Sequence, residues 1–199
     1  MRKSIPLGIV TLLGAAAFLS LQGAALAQTI AETSEMFTSC SHRFAILVPA
    51  MAKPAERNFS YTTRTGAMVP AREFLVQRGA DRYSVTVVDF SGGPAVDDGH
   101  VEHAAVGLRQ KGEVRFQAQA PYDPGMPGRQ LNIFAAGNRQ IRASIYMADH
   151  RMFITEANGT VGDFPAMQFE QSITLIDGMG NDLDRPNNNQ PVRNFGCRS

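Results

Sequence analysis

A chain of 199 residues with 19 basic and 18 acidic side chains has a formal net charge of only +1. It lacks the concentrated cationic surface that nucleic acids or anionic membranes would select. The length suits one domain with a real core and is short for two.

In chain order, the first feature is an address. Arg2 and Lys3 form a basic head, Ile5 to Leu21 an apolar run, and Ala25-Leu26-Ala27 puts small residues where a signal peptidase reads. This layout predicts a secretory signal peptide over 1–27, cut between Ala27 and Gln28. Pro6, Gly8 and Gly14 interrupt the run, whereas a permanent span needs about 20 apolar residues with cleaner flanks. No later segment is long and apolar enough to cross a bilayer. Cleavage removes two bases, so the mature chain carries a net charge of −1. In an oxidising compartment the two cysteines, Cys40 and Cys197, most simply form one disulfide. Two free thiols, or a metal site combining Cys40 with His42, are the alternatives; two ligands alone make a poor site.

Residues 28–42 read as a polar lead-in. Phe44, Ile46 and Val48 then alternate with Ala45 and Leu47 in a strand stopped by Pro49. Phe59, Tyr61 and Thr63 mark a second strand, ending at Gly66. Phe74 and Val76 mark a third, running into Gly79. Tyr83, Val85 and Val87 against Ser84, Thr86 and Val88 mark a fourth.

The period changes over 97–110. Val101, Ala104, Ala105 and Leu108 make one helical stripe, with Asp97 or Asp98 as cap and Gly112 as terminator. Val114, Phe116 and Ala118 resume the alternation, and the prolines and glycines of 121–128 predict a loop. Leu131, Ile133 and Ala135 lead through Gly137-Asn138 into Ile141, Ala143, Ile145 and Met147. Asp149-His150 then turns into Met152 and Ile154. Connections this short require an antiparallel meander. A second helix follows, with Asp163 as cap, Pro165 in its first turn, and Ala166, Phe169 and Ile173 along one face. Residues 177–199, including Asn187-Asn188-Asn189, read as an irregular tail tied down by Cys197. The expected fold class is α+β, an antiparallel sheet covered by helices.

Several local motifs appear in an order that resembles the PsbP/Mog1-like family, in particular its small exported bacterial members. They are Arg43-Phe44-Ala45-Ile46-Leu47-Val48-Pro49, Tyr83-Ser84-Val85-Thr86-Val87-Val88-Asp89-Phe90 and Gly128-Arg129-Gln130-Leu131. Ile145-Tyr146-Met147, Arg151-Met152-Phe153-Ile154, and Ala166 through Phe169 to Ser172-Ile173 complete the pattern. The resemblance covers roughly Arg43 to Leu175 and implies a single domain over 43–176. It implies an α/β/α sandwich used as an accessory or binding module in the periplasm or outside the cell. It brings no shared catalytic set, so no functional residue is carried over, and fold does not settle function.

No nucleophile-elbow, zincin, Walker or dinucleotide-binding motif is present. His100 and His103, with Glu102 between them, are the sharpest metal candidates. On a helix, however, Glu102 points about 160° from His100, so a solvated helix edge is the plainer expectation. Asp177, Asn181, Asp182 and Asp184 offer oxygens to calcium without the EF-hand spacing. Arg129, Arg139, Arg142 and Arg151 lie on the meander, where any sharing a face could receive an anion; outward polar positions are the simpler account. Asn58 and Asn158 fall in glycosylation sequons that a bacterial protein would leave unmodified.

The expected function is therefore a non-enzymatic exported binding or accessory protein acting through a sheet face or the proline loop. Its partner would be a protein or small ligand of the cell envelope, with no cofactor, metal or nucleic acid. The first alternative is a small hydrolase or metal-dependent enzyme with a site assembled from distant residues, which needs His42, His100, His103 or His150 to meet a carboxylate or Cys in one cleft; two of them in one pocket with Asp or Glu would favour it strongly. The second is a structural envelope module with an exposed apolar patch and no pocket.

Overall fold

The computed structural model describes residues 34–50, 52–184 and 191–198. The predicted signal peptide, its cleavage point at Ala27 and Gln28, and Asn187-Asn188-Asn189 lie outside these residues. The fold belongs to one unit, residues 35–199. Its elements are β1 (Ser34–Ser39), β2 (Phe44–Pro49), β3 (Ala55–Thr62), β4 (Met68–Arg78) and β5 (Asp81–Asp89). Then come α1 (Asp98–Arg109), β6 (Glu113–Gln119), β7 (Gly128–Ala135), β8 (Arg139–Ala148), β9 (Arg151–Thr160), α2 (Phe164–Gln171) and β10 (Thr174–Leu175).

Seven strands form one sheet in the order β3-β4-β5-β9-β8-β7-β6. Every neighbouring pair in it is antiparallel. A smaller sheet has the order β1-β2-β10. The chain is an α+β protein. Its turns follow from the residues that accept a left-handed backbone. Gly137 and Asn138 have φ of 73° and 58°, and Asp149 and His150 have φ of 47° and 60°. The latter pair closes the β8–β9 hairpin directly, with Ala148 opposite Arg151.

Period-2 alternation sorts the core into two layers. Phe74, Val85, Val87, Phe153 and Ala157 face one side, where they meet Ala166 and Phe169 of α2 and Phe44, Ile46 and Val48 of β2. Val88, Leu131, Ile133, Ile141, Ala143, Ile145, Met147 and Met152 face the other, beneath Val101, Ala104, Ala105 and Leu108 of α1. One helix thus covers each face of the large sheet, and the small sheet shares the α2 side.

Four expectations need correction. Part of the predicted lead-in is strand β1, whose Phe37 ring lies 5.9 Å from Phe44 and 5.8 Å from Phe74. Gly112 does not terminate α1, which ends at Arg109 with Gln110 as its cap. Gly112 instead passes so close to β7 that a Cβ there would lie 2.3 Å from the Phe134 carbonyl oxygen. Asp163 occupies the α2 cap position, but its carboxylate bonds no helix amide; the Tyr83 hydroxyl donates to it at 3.4 Å. Burial and that neighbouring charge push the Tyr83 hydroxyl up to about 12. Lastly, His100 is buried rather than solvated, its ring 4.4 Å from that of Phe90.

Cys40 and Cys197 form the disulfide, with their Cα atoms 5.5 Å apart, so neither the free-thiol nor the Cys40–His42 metal alternative holds. Gly180, at φ +83°, lets the tail close beneath it, since a Cβ there would meet the Cys197 amide nitrogen at 2.9 Å. Isolated bridges between Ile176 and Asp182, and between Asn181 and Asn194, hold the rest of the described tail. Among the described residues no helix is long and apolar enough to cross a membrane.

The start of α1 carries the first prediction. Asp97 accepts from the Gly99 and His100 amides at 2.7 and 3.3 Å, and from Arg64 Nη2 at 3.1 Å. Asp97→Ala is expected to cost about 1–2 kcal/mol in urea denaturation. Burial raises the Asp97 carboxyl, but the bonds from Arg64, Gly99 and His100 outweigh it and hold the group below 3.8. Burial holds His100 below 6.5. Both folded values lie under the unfolded ones, so both groups favour unfolding as protons are added. Stability is therefore expected to decline in two windows, first below about pH 6.5 and again below about pH 4. His100→Gln should shrink the first decline, leaving the share of His42, which is likewise lowered. A flat stability profile from pH 7.5 to 5 would contradict this.

Candidate functional site

α1 packs over β7, β8 and part of β9 and leaves the other half of its sheet face open. The result is a groove of about 620 Å³, a size suited to a small ligand. Its floor is the second face of the central strands: Ser84 and Thr86 of β5, Ile154 and Glu156 of β9, and Glu73 of β4. One wall is α1, through His103, Ala104, Gly107 and Leu108. The other is edge strand β3, through Arg57, Phe59 and Tyr61.

Strand register explains this arrangement. Arg57 pairs with Glu73, Glu73 with Thr86, and Thr86 with Ile154, making one row across four strands. The next row brings Ser84 against Glu156. A polar–apolar floor results from residues that alternate with the buried Tyr83, Val85 and Val87.

The carboxylates of the floor are neutralised in place. Glu73 is buried and takes Arg57 at 3.0 Å and Arg82 on its other oxygen. Glu156 pairs with Lys111, which follows α1. His103 Nε2 lies 3.2 Å from the Thr62 carbonyl oxygen, and its ring meets Tyr61 edge-on at 6.2 Å. Burial pushes the Tyr61 hydroxyl up, so it stays protonated and available as a donor. The groove therefore offers hydroxyls and paired charges around an apolar strip formed by Phe59, Ile154 and Leu108.

The side chains singled out in the sequence are placed elsewhere or tied down. Glu102 is held by Arg109 at 2.7 Å and Arg129 at 3.2 Å, and so does not join His100 and His103. Among the described residues no three His, Cys, Asp or Glu side chains cluster as metal ligands would. Asp177 spends its oxygens on the Met179 and Asn181 amides and the Asn181 side chain, and Asp182 accepts from Tyr122 at 2.8 Å and from the Asp184 amide at 2.9 Å. These are turn-forming bonds.

The four arginines do not share one face. Arg129 is buried against Asp98 at 2.9 Å and fastens α1 to β7. Arg139 binds Asp81 at 2.8 Å and Asn158 at 3.0 Å. Arg142 reaches Glu170, on the α2 side, at 3.2 Å. Arg151 has a single ion pair, to Asp149 at 3.4 Å. Asn58 and Asn158 both sit in strands, with their side-chain oxygens taken by Arg72 and Arg139.

The two histidine-lined clefts of the described residues hold one histidine each. His103 lines the groove beside Glu73 and Glu156, and His42 lines a separate cleft beside Asp89. His100 lies under Phe90, and His150 Nδ1 lies 2.9 Å from the Gly93 carbonyl oxygen. The proline loop is tied down as well, since the Tyr122 hydroxyl donates to Asp182 and accepts the Leu175 amide at 3.1 Å.

The groove residues Glu73, Ser84, Thr86 and Glu156 were missed in the sequence. A signal existed: Ser84 and Thr86 are polar on the inner face of a central strand, as happens where nothing covers it.

No protein-family model matches the chain, and no curated protein does. Among solved structures it is similar to PA94 from Pseudomonas aeruginosa, a protein of unknown function. Their identity is 15%, with 66% of this chain and 86% of that chain covered and a TM-score of 0.31. At that level the likeness carries no argument.

Proposed function

We propose that this protein is an exported binding or accessory module of the PsbP/Mog1-like kind, which holds a small amphipathic ligand in the groove between α1 and the sheet. The observation that carries this reading is the half-open sheet face, walled by α1 and β3 and floored by hydroxyls, paired charges and apolar side chains. Few convergent polar groups in a largely preformed concavity are what a ligand site needs. The Cys40–Cys197 disulfide supports an oxidising compartment. For the hydrolase alternative, the groove brings His103 beside Glu73 and Glu156, but both carboxylates are already ion-paired and no second histidine lines the groove, which favours the binding reading.

The test is a plug. Thr86→Trp keeps a strand-forming residue on β5 while filling the floor. Binding of the amphipathic dye 8-anilinonaphthalene-1-sulfonate, followed by fluorescence, is expected to weaken by about tenfold or more, with the circular dichroism of the fold unchanged. Equal dye affinity in wild type and Thr86→Trp would contradict the reading.

A further inference from the structure

We propose that a second site, on the opposite face of the large sheet from the groove, receives the oxyanion of a small acidic ligand, a phosphate or a carboxylate. It is a cleft of about 260 Å³ lined by His42, Arg72, Asp89 and Arg151, with Ser41 and Asn58 at its edge. Arg72 belongs to β4, Asp89 to β5 and Arg151 to β9, with Asp89 directly opposite Arg151 in the ladder. His42 comes from the β1–β2 connection and is held from below by Phe74, with ring centroids 5.0 Å apart.

The balance of donors and acceptors points to an anion. Arg72 uses Nε on the Asn58 oxygen at 2.7 Å and Nη1 on Glu56 at 2.9 Å, leaving Nη2 without a partner among the described residues. Among the described residues Arg151 has one side-chain partner, Asp149 at 3.4 Å. The Asn58 oxygen is taken by Arg72, and its amide NH₂ has no partner among the described residues. His42 Nδ1 lies 2.9 Å from both Ser39 Oγ and Ser41 Oγ, so its Nε2 is the free side of the ring. The lining of the cleft itself carries one carboxylate, Asp89, and one of its oxygens is already used by the Ser91 amide at 2.8 Å and the Ser91 hydroxyl; Glu56 and Asp149 hold the two arginines from outside the lining, each through a single guanidinium nitrogen. The remaining guanidinium nitrogens of two arginines, an imidazole and an amide converge on one half-occupied carboxylate and form an anion cradle.

The same geometry predicts a coupling to protons. The groups facing His42 are Arg72 from β4, Glu56 from β3, Arg151 from β9 and Asp89 from β5. Burial, followed by the Arg72 charge, holds His42 below 6.5. A bound anion offsets both, so for a ligand of fixed charge binding takes up a proton at His42 and raises its titration midpoint. This site stands or falls independently of the ligand held in the groove.

The test is an NMR titration of the whole exported chain with inorganic phosphate in one arm and succinate in the other, read at the His42 ring protons. Saturable movement in either arm, with the His42 titration midpoint moving to higher pH, is the expected result, and the tighter arm names the anion class. Arg72→Gln and Arg151→Gln should each weaken binding by about tenfold. Asp89→Asn should strengthen it severalfold by removing the competing charge. His42→Gln should keep binding at about pH 7.5 and lose the proton uptake that His42 contributes on binding. The absence of saturation below about 10 mM in both arms, or equal affinity in the Arg72→Gln/Arg151→Gln double variant, would overturn the proposal.

Discussion

Replacing Cys40 and Cys197 together by serine should lower the unfolding free energy by up to about 5 kcal/mol. The bond joins residues 157 apart, so its removal frees nearly the whole unit in the unfolded state. That is a large fraction of the 5–15 kcal/mol typical of a domain, and a melting temperature lower by about 10–20 °C is expected. The tail should loosen as well, because Gly180, Asn181 and Asn194 hold it only through backbone and amide contacts. Losing the tail's Asp182 would leave the Tyr122 hydroxyl with the Leu175 amide alone. Calorimetry of the double variant, and of the wild type under reductant, checks this. Unchanged melting in both would contradict the sulfur tie.

The second large effect is expected at Glu170. This α2 carboxylate is 1% exposed. It accepts from Gln130 Nε2 at 2.9 Å, from Arg142 Nη2 at 3.2 Å and from the Ser144 hydroxyl. Arg142 already has one buried nitrogen, Nε, without a partner. Glu170→Ala therefore strands a guanidinium and a serine at once and is expected to cost about 3–5 kcal/mol. Replacing Glu170 and Arg142 together by methionine should recover most of that loss, since the pair is replaced by packing apolar side chains. Urea denaturation of Glu170→Met, Arg142→Met and the double variant measures the coupling. Additive losses would show that the carboxylate does not act through Arg142.

How much of this was legible in the sequence depends on what each signal reports. Alternation found β2, β5 and β7 to β9, and the 3.6 period found α1, because those elements place apolar side chains on one face and polar ones on the other. Cys40 and Cys197 were legible through parity and the oxidising address that the sequence predicts. β1 was not, because Phe37 is the main apolar anchor in a run of polar residues. Glu170 was missed for a different reason. Gln130, Arg142 and Ser144 look like outward strand positions, and alternation says which residues share a face but not what later covers it. Only the packing of α2 turns that face inward. The groove was hidden in the same way, since its residues come from four strands and a helix whose order in the sheet is not their order in the chain. His100 sits at the margin of the α1 stripe on a helical wheel, and Phe90, arriving from the end of β5, makes it a core residue.

The measurement closest to the centre of the account is an amide chemical-shift map of the wild-type protein against small-molecule fractions of its own compartment. Saturable shifts centred on Ser84, Thr86, Gly107 and Ile154, and absent in Thr86→Trp, are predicted. Shifts confined to residues outside the groove, or persisting unchanged in Thr86→Trp, would contradict a ligand held between α1 and the sheet.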